Sequence, residues 1–273
     1  MARSVHITED ELRFLERHES ICHSTGRTFR DLGDAYLLTD PRDADVFWNR
    51  LAALRWPVAP AAFDRRLADA LTLFGILDRR PHIWQSVDHD RPPDLVARLL
   101  DHGFADVGHG LILALVDRHA LTAPLPEEDA PGIAVARYRR PRRVRRVAEA
   151  AATVVGTAFG AEGTRIESLT DELATALRDE RVTIVLASID GVPAAVAKAT
   201  TFDGATYLSS IGTIPAARGR GLGALVTREA AKAGLDSRWV YLGVFEANAV
   251  ARRLYARLGF AQVGHPAADL LLP

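Results

Sequence analysis

A chain of 273 residues and 29.7 kDa has the length of two modest domains or one large one. At 48% hydrophobic and 25% charged it is too apolar for a disordered chain, and a net charge of -1 gives no overall basic field for nucleic acid. One cysteine, Cys22, closes no internal disulfide, no Cys/His spacing proposes a metal site, and no apolar run reaches membrane-span length. Met1 to Leu15 carry Glu9, Asp10 and Glu11 where a signal peptide needs an apolar core. The expectation is a soluble, cytoplasmic protein in two parts, with no membrane, nucleic-acid or metal partner. Lysine occurs only at Lys198 and Lys232, arginine standing elsewhere.

Thr8-Glu9-Asp10-Glu11 has capping-box spacing and opens a helix through Leu12 and Leu15. Asp34 to Thr39 reads as a strand stopped by Asp40-Pro41. Apolar periodicity predicts helices at Ala44 to Leu54 and at Ala61 to Leu77. His82 to Val87 reads as a strand, Pro92 to His102 as a helix with proline in its first turn, and Leu111 to Val116 as a strand. Arg118 to Gly132, polar and broken by Pro124, Pro126, Pro131 and Gly132, reads as a linker.

Beyond the linker, Ile133 to Tyr138 predicts a strand, and Arg142 to Phe159 a helix with Val144, Val147, Ala148, Ala151, Val154 and Val155 on one face. Ser168 to Arg178 predicts a second helix. Strands at Val182 to Ile189 and Val192 to Thr201 flank Asp190-Gly191, a two-residue hairpin signal. Thr206 to Ile214 continues as a strand into a glycine-rich loop and a helix from Gly221 to Ala233. A strand at Trp239 to Val244, a helix at Ala247 to Leu258 and two short strands near Val263 and Leu270 to Leu272 complete the chain.

The halves echo each other. Gly103-Phe104-Ala105-Asp106-Val107-Gly108-His109 matches Gly259-Phe260-Ala261-Gln262-Val263-Gly264-His265 at six of seven positions, offset by 156 residues. Both copies follow an apolar helix and precede an apolar strand, which points to a duplicated unit.

The chemistry concentrates in Thr213-Ile214-Pro215-Ala216-Ala217-Arg218-Gly219-Arg220-Gly221-Leu222-Gly223-Ala224. A strand ends, glycines let the backbone approach a ligand without Cβ obstruction, and a helix begins with its positive dipole end. The result is an anion seat, to which Arg218 and Arg220 can add charge-assisted contacts. No Gly-Lys-Ser/Thr closes it, and its spacing departs from a dinucleotide fingerprint. About 25 residues on, Val240 to Val244 leads through Glu246 to Asn248, then to a helix carrying Tyr255 and ending at Gly259-Phe260.

Those two motifs together resemble the GNAT superfamily of acyl-CoA-dependent N-acyltransferases. Arg218, Gly221 and Gly223 match the family's Arg/Gln-x-x-Gly-x-Gly/Ala loop, and Asn248, Tyr255, Gly259 and Phe260 match its later strand–Asn–x6–Tyr–x3–Gly-Phe pattern. The resemblance covers Ile133 to Pro273. It implies an α/β (α+β) fold of mixed, mostly antiparallel sheets flanked by helices, with acetyl-CoA as substrate. By the resemblance Thr213, Ile214, Arg218, Gly219, Arg220, Gly221, Leu222, Gly223 and Ala224 hold the coenzyme, Asn248 orients its pantetheine or a water, and Tyr255 is the general acid. A free phenol has a pKa of ~10, close to that of a thiol. The family's usual glutamate on the strand before the loop is missing from Tyr207-Leu208-Ser209-Ser210-Ile211-Gly212-Thr213. Ser209 or Ser210 could position a water, Glu246 could act as base or stand as an exposed loop carboxylate, and a neutral amine needs no base.

At the 156-residue offset Arg218, Gly221 and Gly223 fall on Ala62, Arg65 and Leu67, Asn248 on Pro92 and Tyr255 on Leu99. Every group the chemistry needs is missing, so the reading is a tandem GNAT protein: a degenerate domain at 1–120, a linker at 121–132 and an active domain at 133–273. The first half is expected to wall the acceptor pocket, with His82, Trp84 and His109 able to face it. Arg137 to Arg146 holds seven arginines, which suit an acidic acceptor, the coenzyme's 3′-phosphate or nucleic acid, or equally a solvated helix face. Glu162, Arg165 and Glu167 lie where the family shapes acceptor specificity. The function expected is acetyl or short-acyl transfer from acyl-CoA to a primary amine of a small molecule; the alternatives are a protein or peptide amine as acceptor, and a non-catalytic acyl-CoA-binding regulator.

Overall fold

The computed structural model describes residues 7–86, 88–126, 128, 130–161 and 163–273, so Val87 and Glu162 lie outside the described residues. The chain divides into two compact units. One holds Leu113–Gly243 and Val250–Ala261; the other holds 7–112, Val244–Ala249 and Gln262–Pro273.

The first unit is built on antiparallel strands β6 (Ile133–Tyr138), β7 (Val182–Ile189), β8 (Val192–Phe202) and β9 (Ala205–Thr213), with β10 (Trp239–Phe245) parallel to β9. Asp190 (φ 49°) and Gly191 (φ 80°) both turn left-handed, the geometry a two-residue hairpin demands. Helices α4 (Val144–Phe159) and α5 (Thr164–Ala176) cover one face of the sheet. Their Val147, Ala151, Val154, Val155 and Leu173 pack with Ile184, Leu186 and Val196 of β7 and β8. Strands alternate sides, so the same strands offer Val185, Ala187, Ala195, Ala197 and Ala199 to the opposite face, and α6 (Leu222–Lys232) packs on β7, β8 and β9. Four of the seven arginines at 137–146 have partners: Arg137 has Glu229, Arg139 the Glu180 carbonyl, Arg140 the Glu180 carboxylate at 3.8 Å, and Arg145 Asp171 and Glu149.

The second unit pairs β1 (Thr28–Asp31), β2 (Tyr36–Thr39) and β3 (Arg50–Ala52) antiparallel in sequence. Then β4 (His82–Gln85) runs parallel to β3, and β11 (Phe260–Leu271) lies antiparallel to β4 through Ala268↔Gln85 to Leu271↔His82. That pairing puts 262–273 in this unit, so the expected boundaries, which kept 133–273 together, are corrected. The break falls at Ile112/Leu113, inside β5 (Ala105–Leu115), rather than in 121–132. Helices α1 (Glu9–His23), α2 (Pro60–Ile76) and α3 (Leu95–Asp101) belong here, with Phe63, Leu67, Phe74, Leu95 and Leu99 in the core. The capping box of α1 is formed: Glu11 N–H donates to Thr8 Oγ1 at 3.2 Å and Thr8 N–H to Glu11 Oε2 at 2.9 Å.

Three elements differ from the sequence reading. The helix expected at Ala44 to Leu54 is one 3-10 turn, Val46–Trp48, followed by β3. Asn49 breaks it, its side-chain amide donating to the carbonyls of Asp43 and Asp45 while its Oδ1 accepts from Asp40 N–H. β1 had no expected counterpart, and the two short C-terminal strands are one, β11.

The echo is structural. Shifted by 156 residues, α1, β1, β2, β3, α2, β4, α3 and β5 overlay the sequence positions of α5, β7, β8, β9, α6, β10, α7 (Ala249–Arg257) and β11. Both units thus contain strand–helix–parallel strand, then a short helix closed by glycine, with Gly103 at φ 88° and Gly259 at φ 87°. Gly259 is also pinned by packing. Its carbonyl accepts from Val116 and Asp117 N–H at 2.9 and 3.1 Å, and a Cβ there would collide with the Asp117 carbonyl. Gly160, at φ 74°, has open space in the same direction. Calorimetry should therefore show Gly160→Ala losing about 1–2 kcal/mol from left-handed strain alone, and Gly259→Ala losing roughly twice that or more once the clash is added. Equal losses would remove the close approach at Asp117 from the account.

Candidate active site

The site is assembled in the first unit from the end of β9, the loop after it, the first turn of α6 and the helix α7. β9 and β10 pair only over Ala205↔Trp239 to Leu208↔Leu242. Ser209 to Thr213 keep β8 on one side, while the pairing with β10 has ended. The β8–β9 register slips between Val196↔Gly212 and Lys198↔Ser209, which adds one residue to β9, and Ser210 there takes φ 52°. Such a bulge turns the strand's edge groups away from a continuous ladder. A stretch of open strand edge is thereby offered to an extended ligand with amide groups of its own.

Past Thr213, a 3-10 turn at Pro215–Ala217 leads to Gly219 (φ 75°) and Gly221 (φ 72°), the latter capping α6. Both glycines need the left-handed region that other residues adopt only at a cost. The backbone N–H groups of Ala217, Arg218, Ala224 and Leu225 find carbonyls at 2.9–3.2 Å. Among the described residues, those of Gly219, Arg220, Gly221, Leu222 and Gly223 find none. Five successive donors at a helix N-terminus are an anion cradle, and a Cβ on Gly219 would meet nothing within 4 Å, so the approach is open.

The two arginines divide. Arg218, expected on phosphate, turns back: Nη2 donates to Ala158 O at 2.9 Å and Nε to Thr213 O at 3.3 Å. It ties the loop to the C-terminal end of α4, where carbonyl dipoles favour a cation. Arg220 is exposed and makes no hydrogen bond or ion pair among the described residues. Gly223 has a packing task, since a Cβ there would lie 3.3 Å from Leu254 Cδ1 and 3.5 Å from Thr213 Oγ1. Its bareness lets α7 lie against the first turn of α6. Leu222 and Ala224 are buried in that turn, and Ile214 N–H donates to Ala194 O at 3.0 Å, so these two and Ile214 shape the cradle through backbone and packing.

Tyr255 sits on α7, next in sequence to Leu254, 7% exposed and with its ring 6.2 Å from that of Phe260. Burial pushes its phenol up to about 12, so it stays a neutral hydroxyl donor throughout the ordinary pH range. Asn248 and Glu246 fall in the segment assigned to the second unit. Asn248 is exposed in the turn ahead of α7, its N–H donating to Phe245 O at 2.9 Å. Glu246 donates its N–H to His109 O at 2.8 Å and holds its carboxylate 3.9 Å from His109 Nδ1, with Asp106 3.4 Å from the other ring nitrogen. His82 is no pocket residue: it is buried, with Nδ1 2.6 Å from Val46 O and Nε2 on Asp269. Trp84 belongs to an aromatic group with Phe47 and Phe245, and Arg50 lies over its ring.

Sequence reasoning passed over Lys198, Thr200 and the lack of any partner for Ser209. Lys198 is 4% exposed and has no hydrogen bond or ion pair among the described residues, while Thr200 Oγ1 and Ser209 Oγ are buried without partners. A buried lysine in a strand of alanines was the available signal.

Residues 135–260 match the acetyltransferase (GNAT) family model. Over those residues the chain is similar to the GNAT acetyltransferases, the class of acyl-CoA-dependent N-acyltransferases. Among solved structures it is similar to a GCN5-related N-acetyltransferase from Kribbella flavida, at 24% identity over 93% of this chain and 95% of that one, with a TM-score of 0.67. A tandem GNAT protein from the clavulanic acid biosynthesis pathway aligns at 17% identity over 92% and 86%, TM-score 0.61. A GCN5-related N-acetyltransferase from Sphaerobacter thermophilus aligns at 20% over 93% and 84%, TM-score 0.56. The fold is thus that of GNAT proteins of the tandem type. No curated protein matches the chain. Among the described residues no helix is long and apolar enough to cross a membrane.

The two arginines should separate by salt. Arg220→Ala should weaken coenzyme A binding in calorimetry by roughly tenfold and flatten its dependence on ionic strength, as loss of a solvent-screened phosphate contact does. Arg218→Ala should weaken binding with the salt dependence unchanged, because what it loses is loop position. A flattened salt dependence in Arg218→Ala would return that side chain to the phosphates.

Proposed function

We propose that the chain moves an acetyl or short acyl group from acyl-CoA to a primary amine of a small molecule, by direct attack with both substrates bound. The observation that carries this reading is the sequence of groups along one unit: open edge of β9, five unpaired N–H donors at 219–223, and a phenol held neutral on α7. The cradle and Arg220 take the diphosphate of the coenzyme, and the freed edge of Ser209 to Thr213 pairs with its pantetheine amides. Held so, the thioester is aimed back along β9, and positioning supplies much of the acceleration.

The amine nitrogen attacks the thioester carbonyl, the N–C bond forms and the C–S bond breaks. The nitrogen sheds one proton to water and the departing sulfur takes one. Tyr255 supplies the donor at the sulfur, and because it holds its proton far above neutral pH, it does so without prior ionisation. No carboxylate lies on β9. Glu246 falls in the other unit, and the proposed base is water, ordered by Ser209 or Ser210, unless the amine arrives neutral. The first half, with α2 lacking any left-handed glycine ahead of it and Leu99 buried where a tyrosine would be needed, is proposed to bind no coenzyme. A buried donor kept ready argues against a purely regulatory coenzyme binder, which needs none.

Tyr255→Phe should lower kcat by about 100-fold or more while coenzyme A binding stays within twofold. The sign of the pH effect is fixed by the raised pKa. The folded phenol is neutral up to about 12 whereas an unfolded one ionises near 10, so the stability from its burial is complete below pH 10 and is lost above it. The wild-type kcat profile should accordingly show no alkaline fall below pH 10 that Tyr255→Phe removes. Full turnover in Tyr255→Phe would overturn its role as acid, and absence of thiol release across an amine panel, with coenzyme bound, would overturn the acyl-transfer reading.

A further inference from the structure

Lys198 lies in the middle of β8, opposite Ile184 on β7 and Ser209 on β9. Directly opposed residues share a face of the sheet, and so do residues two apart on a strand. Lys198 therefore projects to the face occupied by Ile184, Val196, Thr200 and Ser209, which α4 and α5 cover with Val147, Ala151, Val155 and Leu173. The side chain is 4% exposed and has neither counter-ion nor hydrogen-bond acceptor among the described residues. Two hydroxyls on the same face, Ser209 Oγ and Thr200 Oγ1, are buried without a partner either.

Hydroxyls buried unsatisfied are costly, and beside them the Lys198 ammonium, at the end of a buried stem, has no counter-ion and is not itself among the buried atoms without a partner, so it is open to an anion. Three such groups together have the chemistry of a site for an anion, one cation and two hydroxyl donors, completed only when occupied. Its place says which anion. Ser209 is the first β9 residue past the last pair with β10, where the proposed reaction presents the acyl group. The phosphate cradle begins beyond Thr213, past the other end of the open edge, and has its own donors. The anion at Lys198 thus belongs to the acceptor.

We propose that the acceptor amine carries a carboxylate, held by Lys198 with Ser209 and Thr200 on the α4–α5 face of β8 and β9. This deepens the acyl-transfer reading and rests on it. Lysine, a compact ammonium able to receive three acceptors, suits a single buried carboxylate approached between strands.

The test offers primary amines in pairs, each with a free carboxylate and as the corresponding carboxamide, with acetyl-CoA and thiol release as the readout. Wild-type enzyme should prefer the carboxylate member by tenfold or more in kcat/KM. Lys198→Met, which fills the same space without the charge, should erase that preference by raising KM for the carboxylate members. Carboxamide members and coenzyme A affinity should stay within twofold, and Tm should not fall, since methionine keeps the buried stem of the side chain. No preference in the wild type, or an equal loss on both members, would overturn the proposal. Calorimetry separates it from the reading beneath it. If no amine is acetylated, binding of the carboxylate compounds to coenzyme-loaded wild type but not to Lys198→Met still supports the anion site. Absence of such binding overturns it.

Discussion

Peptide N–H groups want acceptors, and a helix N-terminus has more donors than its own chain can satisfy. In this protein that surplus is enlarged by design of the loop: with Gly219 and Gly221 left-handed, five donors in a row point away from every carbonyl among the described residues. Water can solvate them, but an anion with several oxygens can engage several at once. The neighbouring features follow from holding that cradle still. Arg218 anchors it to the carboxyl end of α4, Gly223 lets Leu254 of α7 rest on its far side, and Thr227 Oγ1 bonds Gly223 O at 2.7 Å inside α6. The side chain that looked most like a ligand contact is a strut, and the groups left open are backbone N–H donors.

The two units share an element order and differ at the loop after the first strand of each strand–helix–strand motif. In each, a strand feeds a helix that returns to a parallel strand, and a left-handed residue follows or interrupts the first strand, Ala53 at φ 53° and Ser210 at φ 52°. Hydrophobic pattern preserves such a framework without help from any ligand. Phe63 and Leu67 bury the face of α2 as Leu225 and Ala224 bury that of α6. No glycine loop precedes α2, which begins on Pro60; Ala59 O accepts from Ala62 and Phe63 N–H as Gly221 O accepts from Ala224 and Leu225 N–H.

Legibility in the sequence tracked the range of the determining interaction. The capping box, the Asp190-Gly191 turn, β6, β7 and the glycine loop rest on neighbours within a few residues, and all were readable. The 3-10 turn at Val46–Trp48 was not, because Asn49 reaches Asp40 nine residues away and the apolar spacing around it still looks helical. Domain limits failed for the same reason: the pairing of β11 with β4 joins residues about 190 apart, and composition carries no trace of it. At the site, the donors and Tyr255 were legible as motif. The true engagement of Arg218 and the exposed positions of Glu246 and Asn248 depend on where carbonyls and strands end up in space.

Sequence and structure agree that β9 carries no carboxylate. The strand supplies Ser209 and Ser210, and the side chain on the same face as Ser209 is that of Lys198. A cation beside the reacting centre repels a protonated amine and favours its neutral form, while a carboxylate at that point would do the reverse. An acceptor that brings its own carboxylate cancels the cation on binding, so the charge that would hinder an unsubstituted ammonium becomes a means of selecting one kind of amine. On the proposed reading, the absence of a carboxylate on β9 and the unpaired lysine beside Ser209 serve one end: deprotonation falls to the substrate and water, and the polar groups on that face serve recognition.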